Sequence, residues 1–353
     1  MSRYRILIPD HTATSTGIER SVFGAAAELI LGRARDAREI PDSVWRRADA
    51  ILAWHELEYD AELIARLDRC RVIVRVGVGY DNVDLAAAGA RGITVCNVPD
   101  YGTGEVADHA LAMLLSFARG IPGACEGIRR SNEQWSWQAV GELKRLAVST
   151  LGVIGLGRIG TAVALRARGF GMRVVYYDPY KPSGYDKALG VERCRHLTDL
   201  LAVSDYVSIH TPLTDETREM ADARFFESLK REAVLINTAR GAIVDLDALY
   251  QVLHSGRLRS AGLDVLPEEP PDRGHPLIRA WETDEEWIRG RLLITPHSAF
   301  WCREAYEEMR RKAAEEALRV LKGESALNPV NADSLRPSLR TTAQISEPVS
   351  LAD

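Results

Sequence analysis

The stretch Val153-Ile154-Gly155-Leu156-Gly157-Arg158-Ile159-Gly160 decides the fold. The short apolar run Leu151–Ile154 precedes its glycines, and the Ala-rich, Pro-free Thr161–Phe170 follows them. Strand, glycine turn and helix in that order form a dinucleotide-binding fingerprint. Gly155 lets the chain turn off the strand, Gly157 leaves room for a pyrophosphate, and Gly160 lets the helix pack close to the sheet. The helix N-terminus, with Arg158 and Ile159, would then face the phosphates. The next run, Arg173–Tyr177, ends in Asp178, about twenty residues past the first glycines, where a carboxylate can accept from a ribose 2′-OH. The plain alternative is a tight strand–helix turn without a ligand. The ordered context of strand, glycines, helix, strand and acid argues against it.

Outward from this point the chain reads as alternating strands and helices. The second half offers strands at Leu151–Ile154, Arg173–Tyr177, Tyr206–Ile209, Val234–Asn237, Gly262–Val265 and Leu292–Thr295, the six of a Rossmann sheet. The first hundred residues offer strands at Arg5–Pro9, Ala50–Ala53, Val72–Val76 and Ile93–Cys96, with helices at Glu19–Leu31, Ala61–Leu67 and Leu85–Ala90. Such alternation implies parallel sheets with helices on both faces, so the fold class is α/β with two doubly wound parallel-sheet domains. Gly104–Arg119 is apolar nearly all round, as a buried connecting helix would be. Trp135 and Trp137 stand in a polar segment, either as a protein interface or as an arm folded back on its own domain. Glu304–Lys322 reads as a charged helix with apolar spacing at Ala305, Met309, Ala313, Ala317 and Val320. From Ala332 on, Ser, Thr, Pro and charge point to a mobile tail.

Bulk properties narrow the function. The 353 residues suit two domains. A net charge of −5 and a pI near 6.0 favour neither a nucleic-acid nor a membrane partner. The five cysteines are scattered and odd in number, with no metal-ligand spacing, and read as reduced thiols of a cytoplasmic protein. The N-terminus runs straight into a strand with no signal-peptide core, and no metal is called for.

Three strand ends carry the chemistry. Asn237-Thr238-Ala239-Arg240-Gly241, Asp264-Val-Leu-Pro-Glu268-Glu269-Pro270 and Thr295-Pro-His297 each follow a strand, and ligands bind at the carboxyl ends of strands in open α/β sheets. Singly, Arg240 could be a surface ion-pair residue, Glu269 a solvated acid and His297 a turn histidine. On one rim of a nucleotide fold the three read as a catalytic set. The guanidinium of Arg240 can bridge the carboxylate and carbonyl of a 2-oxo acid. His297 can exchange the proton of the alkoxide, and Glu269 beside it favours the charged imidazole. The turn Val76–Gly79 can offer backbone N–H donors to the same carboxylate.

These residues carry a resemblance. The chain resembles the D-isomer-specific 2-hydroxyacid dehydrogenases, most of all their C-terminal-binding-protein branch. The resemblance lies in Val74-Arg75-Val76-Gly77-Val78-Gly-Tyr-Asp-Asn-Val-Asp84, Val95-Cys-Asn-Val-Pro99, the glycine turn, Tyr177-Asp-Pro-Tyr180, Asn237–Gly241, Gly262–Pro270 and Thr295–His297. It implies a flavodoxin-like substrate domain (1–101 and 299–331), an inserted NAD-binding Rossmann domain (102–298) and a homodimer. It also implies that NAD is the cofactor and that Arg240, Glu269 and His297 are catalytic. Asp264 would face the nicotinamide carboxamide. Thr103, His210, Thr211 and Pro212, with Thr238 and Ala239, would line the cofactor site, and Arg75, Val76, Gly77 and Val78 would meet the substrate.

Departures from the family pattern are Asp108-His109 in place of a Glu after the Ala, and a segment between Glu269 and His297 longer by roughly ten residues. A buried His109 satisfied by helix backbone is the expectation. The helical Arg279–Ile288 part of the longer segment would cover the active-site mouth or touch a partner. Phe300 or Trp301 would present an aromatic wall to the substrate, with Asp100-Tyr101 narrowing the other side. The resulting activity is an NAD-dependent 2-oxo acid reductase. The alternative is an NAD(H)-sensing scaffold that recruits partner peptides.

Overall fold

Short runs of Ile, Val and Leu, too brief for helices, pair side by side into two parallel sheets in this computed structural model, which describes residues 3–335. The chain divides into two compact units: residues up to Tyr101 together with those from Cys302 onward, and Gly102–Trp301.

The first unit holds β1 (Tyr4–Asp10), β2 (Ala27–Ala34), β3 (Ala50–Ala53), β4 (Val72–Arg75) and β5 (Thr94–Cys96), in the order β2-β1-β3-β4-β5. This is the flavodoxin-like order, with its switch point between β1 and β3. All of its paired strands are parallel. The helix expected over Glu19–Leu31 is corrected. It spans Gly17–Phe23 only, and Gly24, at φ +53°, ends it. Leu29, Ile30 and Leu31 belong to β2, in register with Ile6, Leu7 and Ile8. A continuous apolar run fits a buried parallel strand as well as a helix, and pairing with β1 decided between them.

The helix Arg303–Leu321 buries Ala305, Met309, Ala313 and Ala317 of the expected stripe, while Val320, its last expected member, is only half-buried. It also buries Arg310, whose guanidinium forms two 2.7 Å bonds to Glu19 and donates to Ser15 O at 2.6 Å. Ala332–Ser334, expected as the start of a mobile tail, is instead a 3-10 turn. Ser334 lies against Gly89, and the Asn331 side chain just before the turn bonds Val95 N and Ile93 O. The rest of the expected tail, 336–353, lies outside the described residues.

The second unit holds β6 (Thr150–Ile154), β7 (Arg173–Tyr177), β8 (Glu192–Arg193), β9 (Tyr206–Ile209), β10 (Ala233–Asn237), β11 (Leu258–Leu263) and β12 (Leu292–Ile294). They form one parallel sheet in the order β12-β11-β10-β9-β6-β7-β8. The two-residue edge strand β8 adds a seventh to the six expected. It has no hydrophobic run to announce it and exists through pairing with Val175 and Tyr176. Alternate strand residues enter two separate apolar layers. Val175, Val207 and Leu235 pack with Phe225, Phe226 and Leu249 on one face. Val174, Tyr206, Val234 and Ile236 pack with Met113, Leu114 and Phe117 on the other. Burial on both faces is what makes these strands near-continuously apolar. Each fully buried Leu, Val or Phe contributes about 1.5–3 kcal/mol. The longer segment before β12 is also used for packing. Its helix spans Pro276–Glu282 rather than Arg279–Ile288 and buries Leu277 and Ile278. Trp287 meets Tyr250 and His254 edge-on.

Candidate active site

The glycine turn is built by close contacts. Gly155 has φ +86°, and a Cβ there would lie 2.8 Å from the His210 carbonyl oxygen, so only glycine lets the β6 and β9 ends meet. A Cβ on Gly160 would fall 2.0 Å from Gly155 O, which seats the helix Arg158–Gly169 tightly on the turn. At Gly157 a Cβ would meet nothing within 4 Å, so the space beside it is open. The first-turn amides of that helix have no intrahelical acceptor and face this opening.

Asp178 closes β7. Its carboxylate accepts from Leu156 N at 2.9 Å and from Tyr180 N at 3.0 Å, which ties the glycine turn to the end of the next strand. His210, Thr211 and Pro212 follow β9. The His210 ring bonds Ser208 Oγ at 2.8 Å, and burial lowers its pKa to about 3, so it stays neutral at working pH. The hydroxyls of Thr211 and Thr238 are buried with no hydrogen-bond partner. Buried polar atoms are ordinarily satisfied, so these two mark positions where a polar ligand completes the site. An open glycine cradle, a helix N-terminus, a strand-end carboxylate and two such hydroxyls fit a dinucleotide.

Arg240, Glu269 and His297 come from the ends of β10, β11 and β12. Asn237 shapes the first loop: its side chain accepts from Ala239 N at 3.0 Å and donates to Arg240 O at 2.9 Å. The Arg240 guanidinium donates to Ala239 O at 2.7 Å. A Cβ on Gly241 would lie 1.9 Å from the carbonyl carbon of Leu266, so the Arg240 loop packs directly on the Glu269 loop. Glu269 Oε1 accepts from Leu266 N at 3.0 Å, and Oε2 lies 2.7 Å from His297 Nδ1. The carboxylate is thus held at both oxygens and orients the imidazole. His297 itself has φ +51°, a conformation non-glycine residues rarely adopt.

Asp264 holds that turn. It is 2% exposed, and its carboxylate accepts from Thr295 Oγ1 at 2.6 Å, Ser298 N at 2.9 Å and Ala299 N at 3.0 Å. Its carbonyl accepts from His297 N at 2.8 Å. His109 joins this network through Thr295 Oγ1, 3.0 Å from Nε2. The expectation of a buried His109 satisfied by helix backbone is therefore corrected: the side chain is 24% exposed and its ring bonds Thr295. Thr295 and Asn237 stand in the strand-end motifs. Their supporting roles show only in the bonds they make across loops. Phe300 stands edge-on to His297 with ring centroids 6.4 Å apart, whereas Trp301 is 64% exposed. Thr103 opens the helix Thr103–Ala118 of the same unit.

Arg75, Val76, Gly77 and Val78 belong to the first unit. Val76 N donates to Ala53 O at 2.7 Å and Gly77 N to Arg75 O at 2.8 Å. The Arg75 side chain folds back onto Val76 O, also at 2.7 Å. Among the described residues no three or more His, Cys, Asp or Glu group so as to hold a metal, no helix is long and apolar enough to cross a membrane, and all five cysteines are free.

Residues 111–299 match the family model described as D-isomer specific 2-hydroxyacid dehydrogenase, NAD binding domain. The chain is 37% identical to the glyoxylate reductase of Korarchaeum cryptofilum over 289 residues, 82% of this chain and 84% of that protein. It is 36% identical to the D-3-phosphoglycerate dehydrogenase of Methanocaldococcus jannaschii over 284 residues, 80% of this chain and 52% of that protein. The D-lactate dehydrogenase of Aquifex aeolicus, solved with NAD and lactic acid, superposes with a TM-score of 0.79 at 28% identity, covering 91% of this chain and 96% of that one. With the dinucleotide cradle and the acid–base rim, these likenesses show that the chain is an NAD-dependent oxidoreductase belonging to the D-isomer-specific 2-hydroxyacid dehydrogenase family.

Proposed function

We propose that the chain interconverts a small 2-oxo acid and its D-2-hydroxy acid, with Arg240, Glu269 and His297 as the working set. The observation that carries this reading is the 2.7 Å His297–Glu269 pair, held on the rim of the sheet that also carries the dinucleotide cradle. Bound NADH supplies the hydride that reaches the carbonyl carbon. Arg240 orients the substrate carboxylate and polarises the carbonyl oxygen. Nδ1 of His297 is committed to Glu269, so the proton given to the nascent alkoxide leaves from Nε2, and in oxidation it returns there. Ionised Glu269 stabilises the imidazolium and fixes its orientation. The N–H groups of Val78 and Gly79 are the further carboxylate donors, since Val76 N is given to Ala53 O and Gly77 N to Arg75 O.

Phe300 lines the side-chain end of the site and favours a small or apolar substituent. The finer likeness to the C-terminal-binding-protein branch rests on this aromatic. The acid–base pair, with reductase and dehydrogenase relatives, favours turnover over a scaffold. The exposed Trp135 and Trp137, in the segment that also exposes Ile121 and Val148, are the contacts proposed for a homodimer. Light scattering on Trp135→Ser/Trp137→Ser should report a smaller species than the parent.

NADH oxidation with a panel of 2-oxo acids tests the activity. Arg240→Ala should lose kcat/KM by about 10²–10⁴-fold, the worth of charge-assisted bonds to a desolvated carboxylate, while NADH affinity holds. No turnover across the panel, or an undiminished Arg240→Ala, would sink the assignment.

A further inference from the structure

The sequence departure Asp108-His109 is not used by the chemistry above. Both residues lie in the second turn of the helix Thr103–Ala118. That helix packs directly on β11, since a Cβ on Gly262 would come within 2.9 Å of Met113 Sδ. His109 stands one turn N-terminal of Met113 on the same side of the helix. Its ring therefore reaches the carboxyl ends of β11 and β12, where Nε2 lies 3.0 Å from Thr295 Oγ1 and 3.8 Å from Asp264 Oδ1. Asp108 beside it pairs with Arg166 at 2.7 Å, which ties the same helix to the helix of the glycine turn.

The direction of each bond follows from counting protons. Thr295 has one hydroxyl proton and gives it to Asp264 Oδ1 at 2.6 Å. Toward His109 its oxygen can only accept, so the ring carries a proton on Nε2. The neutral Nε2–H ring and the imidazolium both meet this demand. A ring protonated on Nδ1 alone would set two lone pairs against each other. Beyond Thr295, Asp264 Oδ1 also accepts from Ser298 N and Oδ2 from Ala299 N, while the Asp264 carbonyl accepts from His297 N at 2.8 Å. Residues 297–299 are thus wrapped around Asp264, with His297 at φ +51°.

We propose that His109 is a positioning residue for the acid–base step, its Nε2–H fixing, through Thr295 and Asp264, the turn that aims His297. This rests on the reading of His297 as the proton donor and acceptor. Without the His109 donor the Thr295 hydroxyl is free to rotate, and Asp264 Oδ1 loses a fixed partner. A turn in a rarely adopted backbone conformation persists only while its surroundings over-determine it, so it then relaxes. The His297 ring moves off line and proton transfer slows, because a small misplacement is costly at the reacting centre. The dinucleotide cradle, held by other bonds, is left in place.

His109→Leu should lower kcat about five- to thirtyfold, with the NADH Kd and the 2-oxo acid KM within about threefold of the parent. His109→Gln places an amide N–H where Nε2 stands and should recover most of that loss, which a purely space-filling role would not allow. Thr295→Val breaks the same chain of bonds, so adding His109→Leu to it should cost less than about twofold more. Equal losses in His109→Leu and His109→Gln, or additive losses in the double variant, overturn the proposal. Ring NMR of protein carrying ¹⁵N-labelled histidine reads the chain without turnover. His109 should carry its proton on Nε2. The His297 ring signals, identified by their loss in His297→Ala, should shift in His109→Leu and stay in place in His109→Gln. A His109 protonated on Nδ1 alone, or His297 signals unmoved by His109→Leu, also overturns the proposal. Failure of every 2-oxo acid would instead fall on the activity, and the ring spectra would still decide whether His109 positions His297.

Discussion

The two parallel sheets use their carboxyl ends in opposite ways. In the second unit the strand ends point chemistry outward: Gly157 faces open space, two threonine hydroxyls await partners, and His297 is held at φ +51° by Asp264. In the first unit the equivalent positions are turned inward. Asp10 gives both oxygens to loop amides, and Arg75 Nη1 donates to Val76 O within its own turn. The same architecture thus leaves polar groups open at one sheet's rim and commits them to backbone at the other's. A side chain that must change protonation needs room and a partner, whereas a backbone donor needs only to be held still.

The largest test of this contrast is at the reactive end. His297→Ala should lose about 10²–10⁴-fold in rate, the usual worth of a general acid. Glu269→Gln keeps the 2.7 Å contact but not the charge, and should lose less. Single-turnover hydride transfer checks both, and near-normal rates in His297→Ala would remove it from the mechanism.

In the other unit the large effect should be on stability. The Glu19–Arg310 pair has side chains only 4% and 5% exposed, so Glu19→Ala strands a buried charge and should cost about 3–5 kcal/mol in denaturant unfolding. A loss below about 1 kcal/mol would mean that water reaches the site.

The glycine turn separates folding from binding within one motif. Gly160→Ala meets Gly155 O at 2.0 Å and should destabilise by about 1–3 kcal/mol. Gly157→Ala meets no protein atom within 4 Å, so it should melt like the parent yet bind NADH more weakly in a fluorescence titration. Equal melting shifts in both variants would contradict the cradle. The smallest effect is expected at Asp178, where Ala should reduce the preference for NADH over NADPH by about tenfold, one charge-assisted bond's worth. An unchanged ratio would show that the carboxylate serves only its bonds to Leu156 and Tyr180.

Much of this molecule is determined by local sequence. The dinucleotide turn, the parallel strands and the three strand-end motifs are all legible, because glycine spacing, β-branched runs and strand-end polar residues obey short-range rules. Tertiary structure alone decided the rest. Leu29-Ile30-Leu31 became strand because β1 lay beside it, since an apolar run satisfies a helix and a buried strand equally. The two-residue β8 exists only as an edge to β7. Asp264, His109 and Thr295 act together across 31 to 186 residues of chain. Hydrogen bonds depend on distances of a few ångströms between side chains, and sequence separation carries no record of those distances until the sheets have formed.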